Sequence, residues 1–179
     1  MVRRFTGQPI SPEVADRIAA SATTGPTAGN AQGITVVSVT DPETLHQIAA
    51  ACGEPAYLER GFDPWLSTAG QHLVICAEPQ RYRNRYAEGD KDPTVLDAIP
   101  WWWVDSGAAL MAALLATVDE GLAAGFHGGH RTEGIADILG IPSSVVVVGV
   151  VAIGHPAPDR RSTSLDRAKR DDAVRHDSW

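Results

Sequence analysis

The residues able to do chemistry are few and dispersed. Six histidines, His46, His72, His127, His130, His155 and His176, are scattered singly, and no Cys/His cluster has zinc-site spacing. A lone histidine is more often a surface or satisfied core residue than a catalyst. The two cysteines, Cys52 and Cys76, are too few for a disulfide scaffold. Cys76 lies in the apolar run His72 to Ala77 and reads as a small buried hydrophobe. The chain has no phosphate-binding glycine loop ending in Lys-Ser/Thr, no G-x-G-x-x-G after a strand and no G-x-S-x-G. An enzyme built this way must take its reactive group from a cofactor. The charge pattern adds one hint. The formal net charge is −7, which argues against general nucleic-acid binding. Arginines nevertheless stand at both ends, Arg3 and Arg4 at the start and Arg160, Arg161, Arg167, Lys169 and Arg170 near the end. Such a distribution suits one small anion held between the termini.

These residues need a scaffold, and 179 residues suit a single domain with a sizeable core. Ser11-Pro12 signals a helix start, with Val14, Ile18 and Ala22 on one face and Gly25-Pro26 as the stop. A small polar loop from Thr27 to Gly33 leads into a strand beginning at Ile34. Asp41-Pro-Glu opens a second helix running to about Ala51. Residues 53–70 read as loop with partial helix, carrying aromatics among Gly and Pro. A short buried strand follows from His72 to Ala77. Residues 79–100 look irregular, and a stretch of that length is usually functional or disordered; Tyr82, Tyr86 and the following Trp101-Trp102-Trp103 argue against disorder. Asp105 to Ala124 is the strongest helix signal, apolar nearly all round and therefore expected to be buried. Glu133 to Leu139 reads as a short helix, and Ser144 to Ile153 as a strand buried on both faces. The longest unbroken apolar run, Val145 to Ile153, is too short for a membrane helix of about 20 residues. No apolar stretch follows the N-terminal arginines, so no signal peptide is expected. A cytoplasmic protein with no membrane and no nucleic-acid partner is the resulting expectation.

Four segments carry a resemblance. They are Val2-Arg-Arg-Phe-Thr-Gly-Gln-Pro-Ile-Ser-Pro; Gly25-Pro-Thr-Ala-Gly-Asn-Ala-Gln-Gly-Ile-Thr-Val-Val-Ser-Val; Asp119-Glu-Gly-Leu-Ala-Ala-Gly-Phe-His-Gly, with Asp137-Ile-Leu-Gly-Ile-Pro and Ala152-Ile-Gly-His-Pro; and Arg167-Ala-Lys-Arg with Val174-Arg-His-Asp-Ser-Trp. In order and spacing they resemble the FMN-dependent nitroreductase family over nearly the whole chain. The long loop and tryptophan run look most like an actinobacterial branch. The resemblance implies a nitroreductase fold of the α+β class, with a central, mostly antiparallel sheet flanked by helices in an intertwined homodimer. Residues 1–179 form one such domain.

The same resemblance implies roles for particular residues. Arg3 matches a basic residue on the ribityl and pyrimidine side of FMN, where a guanidinium stabilises negative charge on reduced flavin, and the neighbouring Arg4 is assigned with it to the cofactor site. Pro26, Thr27, Ala28 and Asn30 match a loop that closes over the flavin from the second subunit, and Gln32 matches the family's glutamine. Gly33-Ile34 replaces the common Pro-Trp, which leaves the packing beside that loop unexplained. Ala123, Ala124 and Gly125 match a turn whose backbone N–H groups face flavin N5, with Ala123 in place of the usual glycine. Arg167 and Lys169 match residues that hold the FMN phosphate. The implied reaction is ping-pong hydride transfer: NADH or NADPH delivers hydride to N5, and a nitroaromatic, quinone or enone then takes it away. No side chain is required as catalytic acid, and no metal is implied. The tyrosines and the tryptophan run are candidates for the mouth of the site. Two other readings remain: a reductase of a deazaflavin, with Arg81, Arg83 and Arg85 supplying a basic groove, and a flavin-binding or other ligand-binding protein with little or no turnover. Family members also carry a helix ahead of the Arg-Arg-Phe segment, with further arginines for the phosphate. Met1 falls inside that motif, so weaker FMN binding is expected.

Overall fold

Helices begin where the sequence provides a cap. In the computed structural model, which describes residues 1–128, 132–158, 166–169 and 173–177, Ser11 caps α1 (Pro12–Ser21) by accepting from the Val14 N–H. Asp41 caps α2 (Pro42–Ala51) by accepting from the Thr44 N–H at 2.9 Å. Both helices carry proline in the first turn, where its missing N–H costs nothing. Between them lies β1 (Ile34–Val39). After α2 come α3 (Glu54–Leu58), β2 (Gln71–Ala77), α4 (Pro79–Tyr86) and α5 (Val95–Ala98). The chain continues with α6 (Trp101–Asp119), β3 (Ala123–Gly128), α7 (Glu133–Leu139) and β4 (Val146–Gly154).

The four strands form one antiparallel sheet in the order β1-β2-β4-β3. Every residue of β2 is buried, because this central strand is covered on both faces. Its side chains alternate between two cores, as strand pleating requires. Val74 and Cys76 join Leu45, Ile48 and Ile135 from α2 and α7 on one face. Leu73 and Ile75 join Ile18 and Ala113 from α1 and α6 on the other. The N-terminal segment lies beside β3 and the end of β4: the Val2 N–H donates to the Ala124 carbonyl, and the Thr6 N–H to the His155 carbonyl.

Three expectations need correction. Residues 79–100 are not irregular, since they hold α4 and α5; Tyr82 and Tyr86, one turn apart, bury the inner face of an otherwise polar helix. The long helix starts at Trp101 and stops at Asp119, earlier than expected at both ends. Gly121, with φ of 71°, supplies the left-handed turn that ends it. The next element, Ala123–Gly128, is a strand rather than helix or turn. Its small residues offer no alternating apolar pattern, so its sequence did not signal an extended element.

Helix α6 is also not buried all round. Asp105, Ala109, Ala113 and Thr117 face inward, whereas Val104, Met111, Leu115 and Val118 are 52%, 54%, 63% and 69% exposed. With Ala108, also exposed, they recur at alternating steps of four and three, the spacing of a seam between packed helices. Among the described residues α6 is the one helix whose length and composition would suit a membrane span. The unbroken-run reading missed it because Asp105, Ser106 and Gly107 interrupt the run. Asp105 and Thr117 instead form hydrogen bonds on the inward face.

Candidate functional site

The loop ahead of β1 is shaped by strain and by one buried carboxylate. Gly29, Asn30 and Gln32 all have positive φ, at 62°, 57° and 50°. Left-handed backbone at non-glycine residues is uncommon and concentrates where function demands it. Thr27 closes the loop on itself, its Oγ1 accepting from the Gln32 N–H at 2.9 Å. Asp105, on the inner face of α6, accepts from the Ala28 N–H at 2.9 Å and from the Tyr82 hydroxyl at 2.7 Å, both through Oδ2. Arg85 donates to the Gly29 carbonyl at 2.8 Å. Burial and the Asp105 carboxylate both push the Tyr82 phenol far above its ordinary pKa, so it remains a donor. A cavity of about 370 Å³ opens beside the loop, bordered by Pro26, Thr27, Asn30, Gln32 and Asp105.

The same contacts account for Gly33. A Cβ there would lie 2.2 Å from Cε2 of Tyr82, so the tyrosine ring fills the space a larger residue would occupy. Tyr82 is fully buried and Tyr86 nearly so. Neither lines a site mouth, contrary to the sequence-based expectation. Trp102 packs edge-on against Tyr82, and the three tryptophans border neither this cavity nor the next.

The second cavity, about 440 Å³, has mainly aromatic walls. Trp65, Tyr57, Phe62 and Phe126 border it, together with Arg3, His127 and Gly128. The Arg3 guanidinium lies 5.5 Å from the Trp65 ring centroid, a cation–π contact. Glu54 sets the shape of one wall. It is buried and accepts from the backbone N–H groups of Trp65 and Leu66 at 2.7 Å and of Ser67 at 3.1 Å. Three converging donors stabilise the carboxylate and fix the Trp65 backbone. Beneath this turn, His72 Nε2 donates to the Leu66 carbonyl at 3.0 Å. Burial lowers the His72 pKa to about 4, leaving it neutral. Burial likewise pushes the Cys52 thiol, at the cavity wall, up to about 12 and Cys76 to about 11, so neither is a nucleophile.

The two cavities lie at diagonal corners of the sheet. Ile34, which follows the strained loop, stands opposite Ala77 and so level with Val146. Phe126, which borders the aromatic cavity, stands opposite Val151 of β4. Three interstrand spacings of about 4.8 Å and five residues of about 3.3 Å along the strand give a separation of about 22 Å. The cavities share no lining residue.

A family model described as the nitroreductase family matches residues 1–155. The chain belongs to the nitroreductase family. The NADPH-flavin oxidoreductase of Vibrio harveyi is 30% identical over 157 residues, which cover 87% of this chain and 61% of that protein. An FMN reductase (NADPH) of Bacillus subtilis is 26% identical over 162 residues, covering 87% and 62%. The chain thus spans about three-fifths of the length of these two relatives. The crystal structure of nitroreductase A from Vibrio parahaemolyticus superposes with a TM-score of 0.73 at 27% identity, covering 99% of this chain and 72% of that one.

Within this nitroreductase fold, the residues singled out from the sequence fall into separate groups. Pro26, Thr27, Asn30 and Gln32 share the loop cavity, and Ala28 is held beside it by Asp105. Arg3 is at the aromatic cavity. Arg4 points elsewhere, pairing with Asp63 at 3.1 Å and donating to the Pro158 carbonyl at 3.2 Å. Ala124 and Gly125 are strand residues rather than a turn, and the backbone closest to them is the chain's own. A Cβ on Gly125 would meet the Val2 carbonyl oxygen at 2.6 Å and the Trp65 ring at 2.8 Å. Further along the same strand, Phe126 to Gly128 border the cavity. Arg167 and Lys169 are exposed. A basic groove from α4 does not form: Arg81 pairs with Glu78, Arg85 with Glu88 and Asp90, and Arg83 stacks on Trp102. Sequence reading missed Glu54, Tyr57, Phe62 and Trp65; the aromatics scattered through the Gly/Pro-rich stretch 53–70 were their only trace.

Proposed function

We propose that this chain is an FMN-dependent NAD(P)H oxidoreductase acting as a symmetric homodimer, with each flavin held between the aromatic corner of one protomer and the loop corner of the other. The separation of the two half-sites on one chain carries this reading, because a second copy can bring them together. The exposed stripe Val104, Ala108, Met111, Leu115 and Val118 of α6 supplies the surface. Gly107 and Ala108 allow close backbone approach, and a two-fold pairing is the commonest closed arrangement. Each larger apolar side chain fully covered contributes about 1.5–3 kcal/mol. Summed over two protomers, that is comparable with the cost of association.

The aromatic corner fits the ring end of a flavin. Trp65 and Phe126 offer flat walls, and Arg3 brings a positive charge to the edge where a reduced ring is anionic. Ala124 and Gly125 remain the residues proposed to face flavin N5, with Gly128, a glycine bordering the cavity, further along the same strand. The partner's loop would close the other face with Pro26, Thr27, Ala28, Asn30 and Gln32. Thr27 Oγ1 already accepts from Gln32, which leaves its own O–H to donate. Arg167 and Lys169 remain the residues proposed for the phosphate. When bound, FMN would accept two electrons as hydride from NADH or NADPH and release them to a nitroaromatic, quinone or enone entering the same space. The neutral His72 and the high-pKa thiols of Cys52 and Cys76 take no part in proton delivery. The names of the Vibrio harveyi and Bacillus subtilis relatives support this activity. A cytoplasmic setting accords with two unpaired, buried thiols.

The test is an absorbance spectrum of the purified protein, followed by extraction and chromatography of its pigment. FMN and bleaching of its absorbance by NADH or NADPH are expected. FAD, or no flavin after reconstitution with excess FMN, would refute the reading. Light scattering should report a dimer, and a monomer that binds FMN tightly would exclude the shared site.

A further inference from the structure

Tyr57 and Phe62 border the aromatic cavity and remain exposed on their outer side. Their ring centroids are 5.8 Å apart, with the planes tilted by 58°. The Arg60 guanidinium lies over both, 5.8 Å from the Tyr57 centroid and 5.3 Å from the Phe62 centroid. Among the described residues, no carboxylate pairs with it. The carboxylates nearest the cavity are otherwise engaged: Glu54 is held by backbone N–H groups and Asp63 pairs with Arg4. A flexible arginine is thus held over two rings that border the cavity, with its donors unspent. Stacking on two rings lowers the entropy lost when a guanidinium captures an anion.

We infer that Arg60 selects anionic aromatic acceptors: the acceptor ring enters beside Tyr57 and Phe62, next to the flavin, and a carboxylate or sulfonate on that ring is received by Arg60. This rests on the oxidoreductase reading above and names its substrate class. The ring supplies burial, whereas the charged group sets orientation, directing the reducible substituent inward. A neutral isostere gains the same burial without the orientation.

The experiment compares 4-nitrobenzoate with 4-nitrobenzamide, which differ in charge and hardly in shape, using flavin-loaded protein and NADPH or NADH. Wild type should show the lower KM for the benzoate, with the advantage shrinking as ionic strength rises. Arg60→Gln should raise the KM for 4-nitrobenzoate roughly threefold to tenfold, the range for one partly solvated charge-assisted contact. Its KM for the benzamide should rise less, so that the ratio of the two KM values is the readout. Arg60→Lys, which keeps charge without the flat stack, should fall between. Equal KM values for the two acceptors in wild type, or an equal rise for both in Arg60→Gln, would overturn the inference. A loss of FMN affinity in Arg60→Gln without loss of riboflavin affinity would also overturn it, because Arg60 would then serve the cofactor phosphate. If neither acceptor is reduced, the oxidoreductase reading has failed separately. Calorimetric titration of 4-nitrobenzoate into wild type and Arg60→Gln then decides: binding that depends on Arg60 supports the anion site, and equal or absent binding rejects it.

Discussion

Replacing Asp105 by alanine should loosen the strained loop and weaken flavin binding together. The carboxylate is 8% exposed, and its Oδ2 is the acceptor for the Ala28 N–H and the Tyr82 hydroxyl. Truncation leaves one buried donor, the Tyr82 hydroxyl, and one part-buried donor, the Ala28 N–H, without that acceptor, at about 1–3 kcal/mol each. The expected loss is therefore about 2–6 kcal/mol, or roughly 4–24 °C in Tm for a domain of this size. Tyr82→Phe removes one of the two donors and leaves the other bonded, so it should cost about half as much. The loop effect is separable from global stability. Gly29, Asn30 and Gln32 keep positive φ only while the surroundings hold them, so flavin affinity should fall in Asp105→Ala even well below its Tm. Thermal melts with and without added FMN, and a fluorescence titration of FMN at low temperature, measure the two effects. An Asp105→Ala protein with wild-type Tm and wild-type FMN affinity would show that the carboxylate does not organise the loop.

Three further outcomes are expected. Gly33→Ala should cost about 1–3 kcal/mol in denaturant unfolding through overpacking against Tyr82, and Gly33→Ala combined with Tyr82→Leu should recover part of it; an unchanged midpoint for the single variant would contradict the packing account. Leu115→Glu with Val118→Glu should turn a dimer into monomers on sedimentation and remove bound flavin in the same step, whereas loss of only one of the two would separate assembly from the site. The His72 pKa is lowered from 6.5 to about 4 in the folded chain. The unfolded chain therefore binds the extra proton between those values, and stability contributed by neutral His72 is full above about pH 6.5 and declines toward pH 4, by up to about 3 kcal/mol. His72→Gln should flatten urea midpoints across that window, and an unchanged slope would rule His72 out as the source.

The elements most legible in the sequence were those whose signals are local. Ser11-Pro12 and Asp41-Pro42 mark α1 and α2 through capping chemistry that needs no tertiary partner. β2 was legible because a strand buried on both faces is apolar throughout. α4 was not, since six of its eight residues are proline, polar or charged and only Tyr82 and Tyr86 reveal its buried side. β3 was hidden because, Phe126 apart, its alanines, glycines and histidine carry little strand propensity; pairing with β4 imposes the extended form. The same limit applies to the site. The loop 26–32 was recognisable as a turn-rich motif, and Arg3 as a basic residue. That Asp105 clamps that loop from a helix 77 residues away, and that Glu54 orders the Trp65 turn, depends on long-range contacts that no spacing rule encodes.

The diagonal placement of the half-sites has a genetic consequence. In the proposed dimer each flavin site draws Arg3 from one polypeptide and Thr27 from the other. A chain disabled only at Arg3 and a chain disabled only at Thr27 would each be inert alone. Mixed as equals and allowed to exchange, half of the dimers would be hybrids. In each hybrid both lesions fall in the same site, and the other site is assembled entirely from unaltered corners. About a quarter of all sites would therefore regain function, so two dead alleles expressed together would restore a flavoprotein that neither encodes.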